Sequence, residues 1–257
     1  MQLIFMEIVP IQITLKISLN KMINKIIVTG GNGRFANELK KIKSKYQFIY
    51  KSKKELNILS IKSIESNLSK YKPDCLLHLA ALSRPMSLHD KDIAKSIDVN
   101  IIGTANLVKT CSKKNIKLIF FSTSYVYPGK KGGYKETDPI LPWNNYGWSK
   151  LGAESSVKMY KNSLIIRACM TEKPFIHEFA FDNVKSNFIF HDDFAKIFLK
   201  LINKKGTFNV GGRSRSIYSF AKQNNKKVKR TKSYGQLPRK MDMNLNKLKK
   251  IIKYENY

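Results

Sequence analysis

The chain has 257 residues, 42% of them hydrophobic, the balance of a folded domain with a sizeable core and not of a disordered segment. Lysine and arginine number 48 against 18 aspartates and glutamates, a formal charge of +30. The basic residues are spread along nearly every segment, which suits anionic ligands but not the clustered footprint of a nucleic-acid binder, and no run of about eighteen apolar residues offers a membrane span.

Residues 1–21 carry Ile11, Ile13, Leu15, Ile17 and Leu19 alternating with Gln12, Thr14, Lys16 and Ser18, a period-two pattern without the basic start or cleavage site of a signal peptide. They read as an extension outside the main fold, which begins near Met22. Residues 25–29 (KIIVT) read as a short buried strand, followed at once by Gly30-Gly31-Asn32-Gly33-Arg34-Phe35-Ala36 and a helical run to about 43. Strand, glycine turn and helix in that order form a dinucleotide-binding entry. Gly30 permits the tight turn, and Gly33 lets the backbone approach a pyrophosphate.

A second strand over 47–50 ends in Lys51-Ser52-Lys53-Lys54. An NAD site usually places an acidic residue there for the ribose 2′-hydroxyl; basic and hydroxyl groups suit a 2′-phosphate, so the reading leans to NADPH over NADH. A helix near 60–70 leads to a buried strand over 74–81 (DCLLHLAA), whose small final residues let a cofactor lie against the backbone. His78 within it reads as a packed core histidine. Residues 92–113 read as one long helix containing Asn100. The strand over 116–123 (IKLIFFST) then delivers the hydroxyls Ser122, Thr123 and Ser124. Strands and helices alternating in this way describe an α/β, Rossmann-type doubly wound parallel sheet.

Tyr146 and Lys150 stand four residues apart on the next predicted helix, and so on one face of it. A phenol with a pKa of about 10 needs help to exchange a proton at neutral pH, and a neighbouring ammonium supplies it. Beyond about Arg167 the regular alternation stops, which marks a small C-terminal substrate-binding lobe. Asp192 and Asp193 read as N-terminal caps of a helix over 194–203. Arg213 and Arg215, with the basic run 222–232, read as a solvated face, the alternative being a polyanion or membrane-surface site. Cys75, Cys111 and Cys169 are odd in number and far apart, so neither a disulfide framework nor a zinc site is indicated, and a reducing cytoplasm fits. The chain divides into an extension (1–21), a NAD(P)-binding Rossmann domain (22–165) and a mixed substrate-binding lobe (166–257), some of whose segments return to the Rossmann sheet.

These residues resemble the extended short-chain dehydrogenase/reductases that act on nucleotide sugars. The matching segments are TGGNGRFA (29–36), HLAA (78–81), DVNIIGTANLV (98–108), STSYVY (122–127), YGWSKLGAE (146–154), LIIRACM (164–170), FIFHDDFAKIF (188–198) and GTFNVGG (206–212). Within that family the likeness is greatest to the dTDP-4-dehydrorhamnose reductases, whose C-terminal pattern the segment LPRKMDMNLNKL (237–248) also resembles. The sugar-nucleotide dehydratases carry an Asp-Glu pair where Ser124-Tyr125 stand here, so the resemblance implies reduction and not dehydration.

The resemblance implies catalysis by Thr123, Tyr146 and Lys150, with no metal. It implies a cofactor site of Gly30, Gly33, Arg34, Phe35, Lys51, Ser52, Asn57, Ile58, Leu79, Ala80 and Ala81, together with Tyr146 and Lys150, holding NADPH or NADH. Candidate substrate contacts are Ser124, Tyr125, Arg167, Arg213 and Arg239; for Arg167 a structural ion pair is the equal alternative. The expected partners are a nucleotide-sugar substrate and a second copy of the chain as a homodimer. The competing readings are a nucleotide-sugar 4-epimerase with bound NAD and a non-catalytic NAD(P)-binding module.

Overall fold

Runs of Ile, Val, Leu and Phe too short to be helices, alternating with amphipathic stretches, are best buried as parallel strands covered by helices on both faces. The computed structural model describes residues 22–252 and has that architecture; the expected extension 1–21 lies outside the described residues. In chain order come β1 (Lys25–Thr29), α1 (Arg34–Lys40), β2 (Gln47–Lys51), α2 (Ile61–Tyr71), β3 (Cys75–His78), α3 (Leu88–Lys91) and α4 (Ile93–Ser96). A π-helical stretch (Ile97–Ile102) leads into α5 (Gly103–Lys113), β4 (Lys117–Thr123), a 3-10 turn (Ser124–Val126), α6 (Asn145–Lys158) and β5 (Ser163–Ala168). Then follow β6 (Met170–Thr171), β7 (Phe179–Phe181), β8 (Lys185–Ser186), β9 (Ile189–Phe190), α7 (His191–Leu201) and β10 (Gly206–Val210). The last are β11 (Arg215–Ser216), α8 (Ile217–Lys222), β12 (Lys229–Thr231) and α9 (Asn246–Lys249).

Six strands pair in the order β10-β5-β4-β3-β1-β2, every neighbour parallel. The chain runs outward from β1 to β2 and then crosses to β3 on the other side of β1. That reversal opens a crevice at the carboxyl ends of β1 and β3, where open α/β sheets bind ligands. Alternate residues of each strand feed two cores. Ile26 and Val28 join Phe121, Phe194 and Phe198 on one face; Ile27, Leu76, Leu118 and Phe120 join Leu107 and Val157 on the other. Residue 165 lies within β5, and α7 and β10 return to the sheet, so the smaller lobe consists of β6–β9, β11, α8 and β12 around Phe175, Val184, Phe190 and Phe220.

Two helices differ from expectation. The single helix predicted over 92–113 is instead α4, the π-helical stretch and α5. The wider turn carries Asn100, whose amide bonds the Leu82 backbone on both sides (2.8 and 2.9 Å) and the Ser149 hydroxyl (2.8 Å). Hydrophobic periodicity is blind to such a local widening. The helix predicted over 194–203 begins at His191, so Asp192 and Asp193 lie in its first turn, and the cap position belongs to Phe190 without a side-chain cap. Their carboxylates face the positive end of the helix dipole rather than closing it.

Arg167 on β5 is engaged entirely within the protein. It is 1% exposed and donates to Glu154 of α6 (2.6 Å), the Tyr127 hydroxyl (2.7 Å) and the Glu136 carbonyl (3.1 Å). The structural ion pair is the alternative realised. The sheet's outer strands, β2 and β10, have lysines folded over their aromatic residues: the Lys40 ammonium lies 5.0 Å from the Tyr50 ring centre, and Lys247 lies 4.2 Å from that of Phe208. Lys247 also donates to the Thr207 carbonyl (2.7 Å).

Removing one member of a fully buried ion pair strands the other charge. Arg167→Met is expected to lower unfolding free energy by about 3–5 kcal/mol in urea titrations, and Arg167→Met with Glu154→Leu to recover most of that loss. A single variant as stable as the parent would contradict the pair's structural role.

Candidate active site

The glycine turn sits at the carboxyl end of β1. Gly30 has φ +66, and a Cβ there would stand 2.7 Å from the Ala80 nitrogen, so both conformation and space demand glycine. A Cβ on Gly33 would meet the Gly30 carbonyl at 3.0 Å. Thr29 fixes the facing strand end: its hydroxyl accepts from the Leu79 and Ala80 N–H groups (3.2 Å each) and contacts His78 Nδ1 (2.8 Å). His78 Nε2 contacts the Thr104 hydroxyl (3.0 Å), and burial, with Lys150 adding to it, pushes its pKa down to about 3. It is a neutral packed histidine, as the sequence indicates.

Thr123 ends β4, and its hydroxyl accepts from the Tyr125 N–H (3.2 Å) as the chain enters the 3-10 turn. Helix α6 is started by Asn144, whose side chain accepts from Gly147 N (2.8 Å). A Cβ on Gly147 would stand 2.6 Å from the Tyr125 carbonyl, so glycine there lets the helix start rest on the turn after β4. That contact brings Tyr146 to Thr123. Tyr146, Lys150 and Glu154 recur at fours and share the helix face turned to the sheet.

The two catalytic candidates on α6 have opposite electrostatics. Burial raises the Tyr146 phenol, opposed by the Thr123 hydrogen bond and then by Arg84 and Arg34, and the net shift is upward. The phenol is therefore held protonated at neutral pH, the form a general acid needs. Helical spacing alone predicts that Lys150 depresses it, but the depressing groups are Thr123, Arg84 and Arg34. Lys150 is buried, with its ammonium 4.1 Å above the Phe120 ring centre. Burial pulls its pKa down to about 7 against the opposing pull of Glu154.

A cleft of about 880 Å³ opens beside these groups, within the size range of nucleotide-binding pockets. Thr123, Ser124, Tyr125, Tyr146 and Arg34 line one side, and Phe175, Ile176, Phe179 and Phe181 of the lobe line the other. Lys150 stands behind Tyr146. The remaining predicted residues have other surroundings. Phe35 is a core residue, its ring 5.0 Å from Phe121 and 5.3 Å from Phe194, so only its backbone faces the turn. Ile58 packs into the space Gly103 leaves, and Asn57 accepts from the Leu59 N–H. Lys51 donates to the Tyr71 hydroxyl (2.8 Å) and reaches Glu55 at 3.5 Å, while the Ser52 hydroxyl donates to Glu55 (2.7 Å). An acidic group, Glu55, thus does stand near the end of β2, one residue beyond residues 51–54. Arg213 lies by a separate small pocket with Ser214 and Asn246, and Arg239 is exposed outside the cleft.

Arg84 and Glu172, both lining the cleft, escaped the sequence reading because they sit in irregular segments between motifs. One signal was available: with 18 acidic residues against 48 basic ones, a carboxylate close after a matched motif stands out.

Residues 24–171 match the family model described as RmlD substrate binding domain. The spore coat polysaccharide biosynthesis protein SpsK of Bacillus subtilis (strain 168) is 31% identical over 147 residues, 56% of this chain and 52% of that protein. The dTDP-4-dehydrorhamnose reductase of Aggregatibacter actinomycetemcomitans is 28% identical over 152 residues, 57% of this chain and 51% of that one. The chain therefore spans about half the length of the curated relatives it matches. The crystal structure of dTDP-4-dehydrorhamnose reductase from Bacillus anthracis str. Ames in complex with NADP superposes with a TM-score of 0.78 at 23% identity, covering 89% of this chain and 91% of that one, a likeness of fold.

Because the folded value of Lys150 lies below its unfolded one, the folded chain binds fewer protons between about pH 7 and 10.5, and stability rises with pH across that window. Lys150→Met is expected to raise unfolding free energy at pH 6 by about 2 kcal/mol and to flatten that rise, measured by urea titration at several pH values. A variant that keeps the parent's profile would show that the buried ammonium does not cause it.

Proposed function

From a chain that belongs to the RmlD substrate binding domain family, we propose an NADPH-dependent reductase of a 4-keto nucleotide sugar that serves deoxysugar or polysaccharide biosynthesis. The observation that carries this reading is the phenol of Tyr146, held protonated beside Thr123 and facing a cleft that Arg34, the residue next after the glycine turn, helps to line. A nicotinamide dinucleotide, when bound, supplies the hydride. The turn suits such a group because Gly30 and Gly33 leave bare backbone where any Cβ would collide. The residues that would hold it are Gly30, Gly33, Arg34, the backbone of 79–81 and Lys150. The exposed Lys53 and Lys54 after β2 favour a ribose 2′-phosphate, in keeping with the NADP in the B. anthracis relative, while Lys51 is held by Tyr71 and Glu55. Glu55, drawn onto Ser52, leaves NADH as the alternative cofactor.

The chain's own residues then perform the proton half of the reduction. The Thr123 hydroxyl orients the ketone oxygen, and Tyr146 donates its O–H proton to that oxygen as negative charge develops there. The phenolate left behind is stabilised by the positive charges of Arg84 and Arg34. Lys150, whose ammonium is easily lost in its present burial, holds the ribose side of the site and gains its charge from a polar ligand.

Among the described residues no helix is long and apolar enough to cross a membrane, and the three buried, unpaired cysteines suit a reducing cytoplasm. The half-exposed Ile93, Ile97, Ile102 and Trp148 on α4, the π-helical stretch and α6 support association with a second copy as a homodimer. Ile97→Glu should then convert a dimer to a monomer in sedimentation velocity, whereas a parent that is already monomeric would refute the pairing.

Tyr146→Phe is expected to slow reduction of a 4-keto sugar nucleotide by about 10²–10⁴-fold, followed by loss of NADPH absorbance, while NADPH binding is retained. Undiminished turnover in that variant would sink the assignment.

A further inference from the structure

Two guanidiniums share one carboxylate at the side of the cleft. Arg34, at the start of α1, donates from Nη1 to Glu172 Oε1 (2.5 Å) and from Nη2 to the Ser83 hydroxyl (3.4 Å). Arg84, in the loop after β3, donates from Nη1 to both oxygens of Glu172 (2.9 Å each). Glu172 follows β6 at the root of the lobe, so its carboxylate ties that lobe to both loops of the crevice. All three residues line the cleft that holds Thr123 and Tyr146.

The group is poorly explained as a stabilising ion pair. Glu172 is 19% exposed, but the side chains of Arg34 and Arg84 are 47% and 35% exposed, so the carboxylate leaves much of both guanidiniums open to the cleft. Nor are the charges balanced, since two cations face one anion. His191 nearby is pushed toward its neutral form by burial, and Glu178, the other acid lining the cleft, pairs with Lys229 (2.8 Å). A carboxylate also uses only part of what two guanidinium forks offer. A diphosphate carries more charge and enough oxygens to meet both forks at once.

We propose that Arg34 and Arg84 form a cradle for the diphosphate of a nucleotide ligand, and that Glu172 is a built-in competitor which that diphosphate displaces. The inference rests on the nucleotide-sugar reductase reading and adds to it a basis for selectivity. In a chain of formal charge +30, a bare guanidinium pair would collect any small anion. With Glu172 in place, a monoanion gains nothing by exchange, while a diphosphate does. Two ligands bring that chemistry, the dinucleotide cofactor and the nucleoside diphosphate sugar.

The test is equilibrium binding to the full chain, with NADPH and dTDP titrated separately by calorimetry, for the parent, Glu172→Gln and Arg84→Gln, each first shown to melt cooperatively. The expected result is that Glu172→Gln tightens one ligand about tenfold, Arg84→Gln weakens the same ligand about tenfold, and inorganic phosphate competes better against Glu172→Gln than against the parent. A gain confined to NADPH assigns the cradle to the cofactor, and one confined to dTDP assigns it to the substrate. Unchanged or weaker binding of both by folded Glu172→Gln overturns the competitor role; if the parent still oxidises NADPH, the reductase reading survives that result. A parent that binds neither ligand overturns both. Should Glu172→Gln fail to fold, Glu172→Asp, too short to span both arginines, is held to the same expected tightening.

Discussion

The ion pair between Glu154 and Arg167 is the interaction on which the placement of the site depends. Two charges taken out of water are costly unless every remaining hydrogen-bonding position is filled. Here the guanidinium is met by Glu154, the Tyr127 hydroxyl and the Glu136 carbonyl. Tyr127 in turn contacts Asn209 of β10 (2.8 Å), whose amide donates to the Tyr134 carbonyl (2.8 Å). One saturated network therefore clamps α6, β5, β10 and the loop before α6 in a single arrangement. One turn up α6 stands Lys150, and one turn further stands Tyr146. A helix free to slide or rotate would lose the phenol's contact with Thr123 first.

This construction sets stability against chemistry. An apolar residue at position 150 would suit its surroundings of Phe120 and buried helix better than an ammonium does. Burial leaves the lysine on the edge of neutrality and leaves the phenol firmly protonated. Opposite displacements of two neighbouring groups by one environment are the pattern expected where protons are to be moved. The cations that temper the phenol come from segments remote in sequence, the glycine turn and the loop after β3, so the site is complete only when the crevice is.

What was legible in the sequence follows the same division. β1 could be read residue for residue, and β4 to within a residue, because a buried parallel strand must be a short unbroken apolar run with turn chemistry at its ends. The relation of Tyr146 to Lys150 was legible because helical spacing alone sets it. Arg167 was not, since a side chain leaving a strand can face either layer, and only Glu154 waiting on α6 decides which. Phe35 was read with the cofactor because it lies in the glycine motif, yet a helix that opens at the ligand must turn another face to the core. Arg84 and Glu172 meet across 88 residues of sequence, and no periodicity encodes such a meeting. The π-helical stretch arises from what Asn100 must reach, a tertiary demand on local structure.

The lysines over the outer strands give part of the chain's basic composition a physical role. An open sheet ends in two rows of unpaired backbone groups, and a strand from another molecule can add to either. Tyr46, just before β2, and Tyr50 on it lie under Lys45 and Lys40, and on β10 Lys247 covers Phe208 while occupying the carbonyl of Thr207. A stray strand would have to strip ammonium groups from ring and carbonyl before it could pair. Part of the charge, the lysines at the two sheet edges, thus does the work of colloidal protection, hindering neighbouring molecules from joining sheet to sheet in a crowded solution.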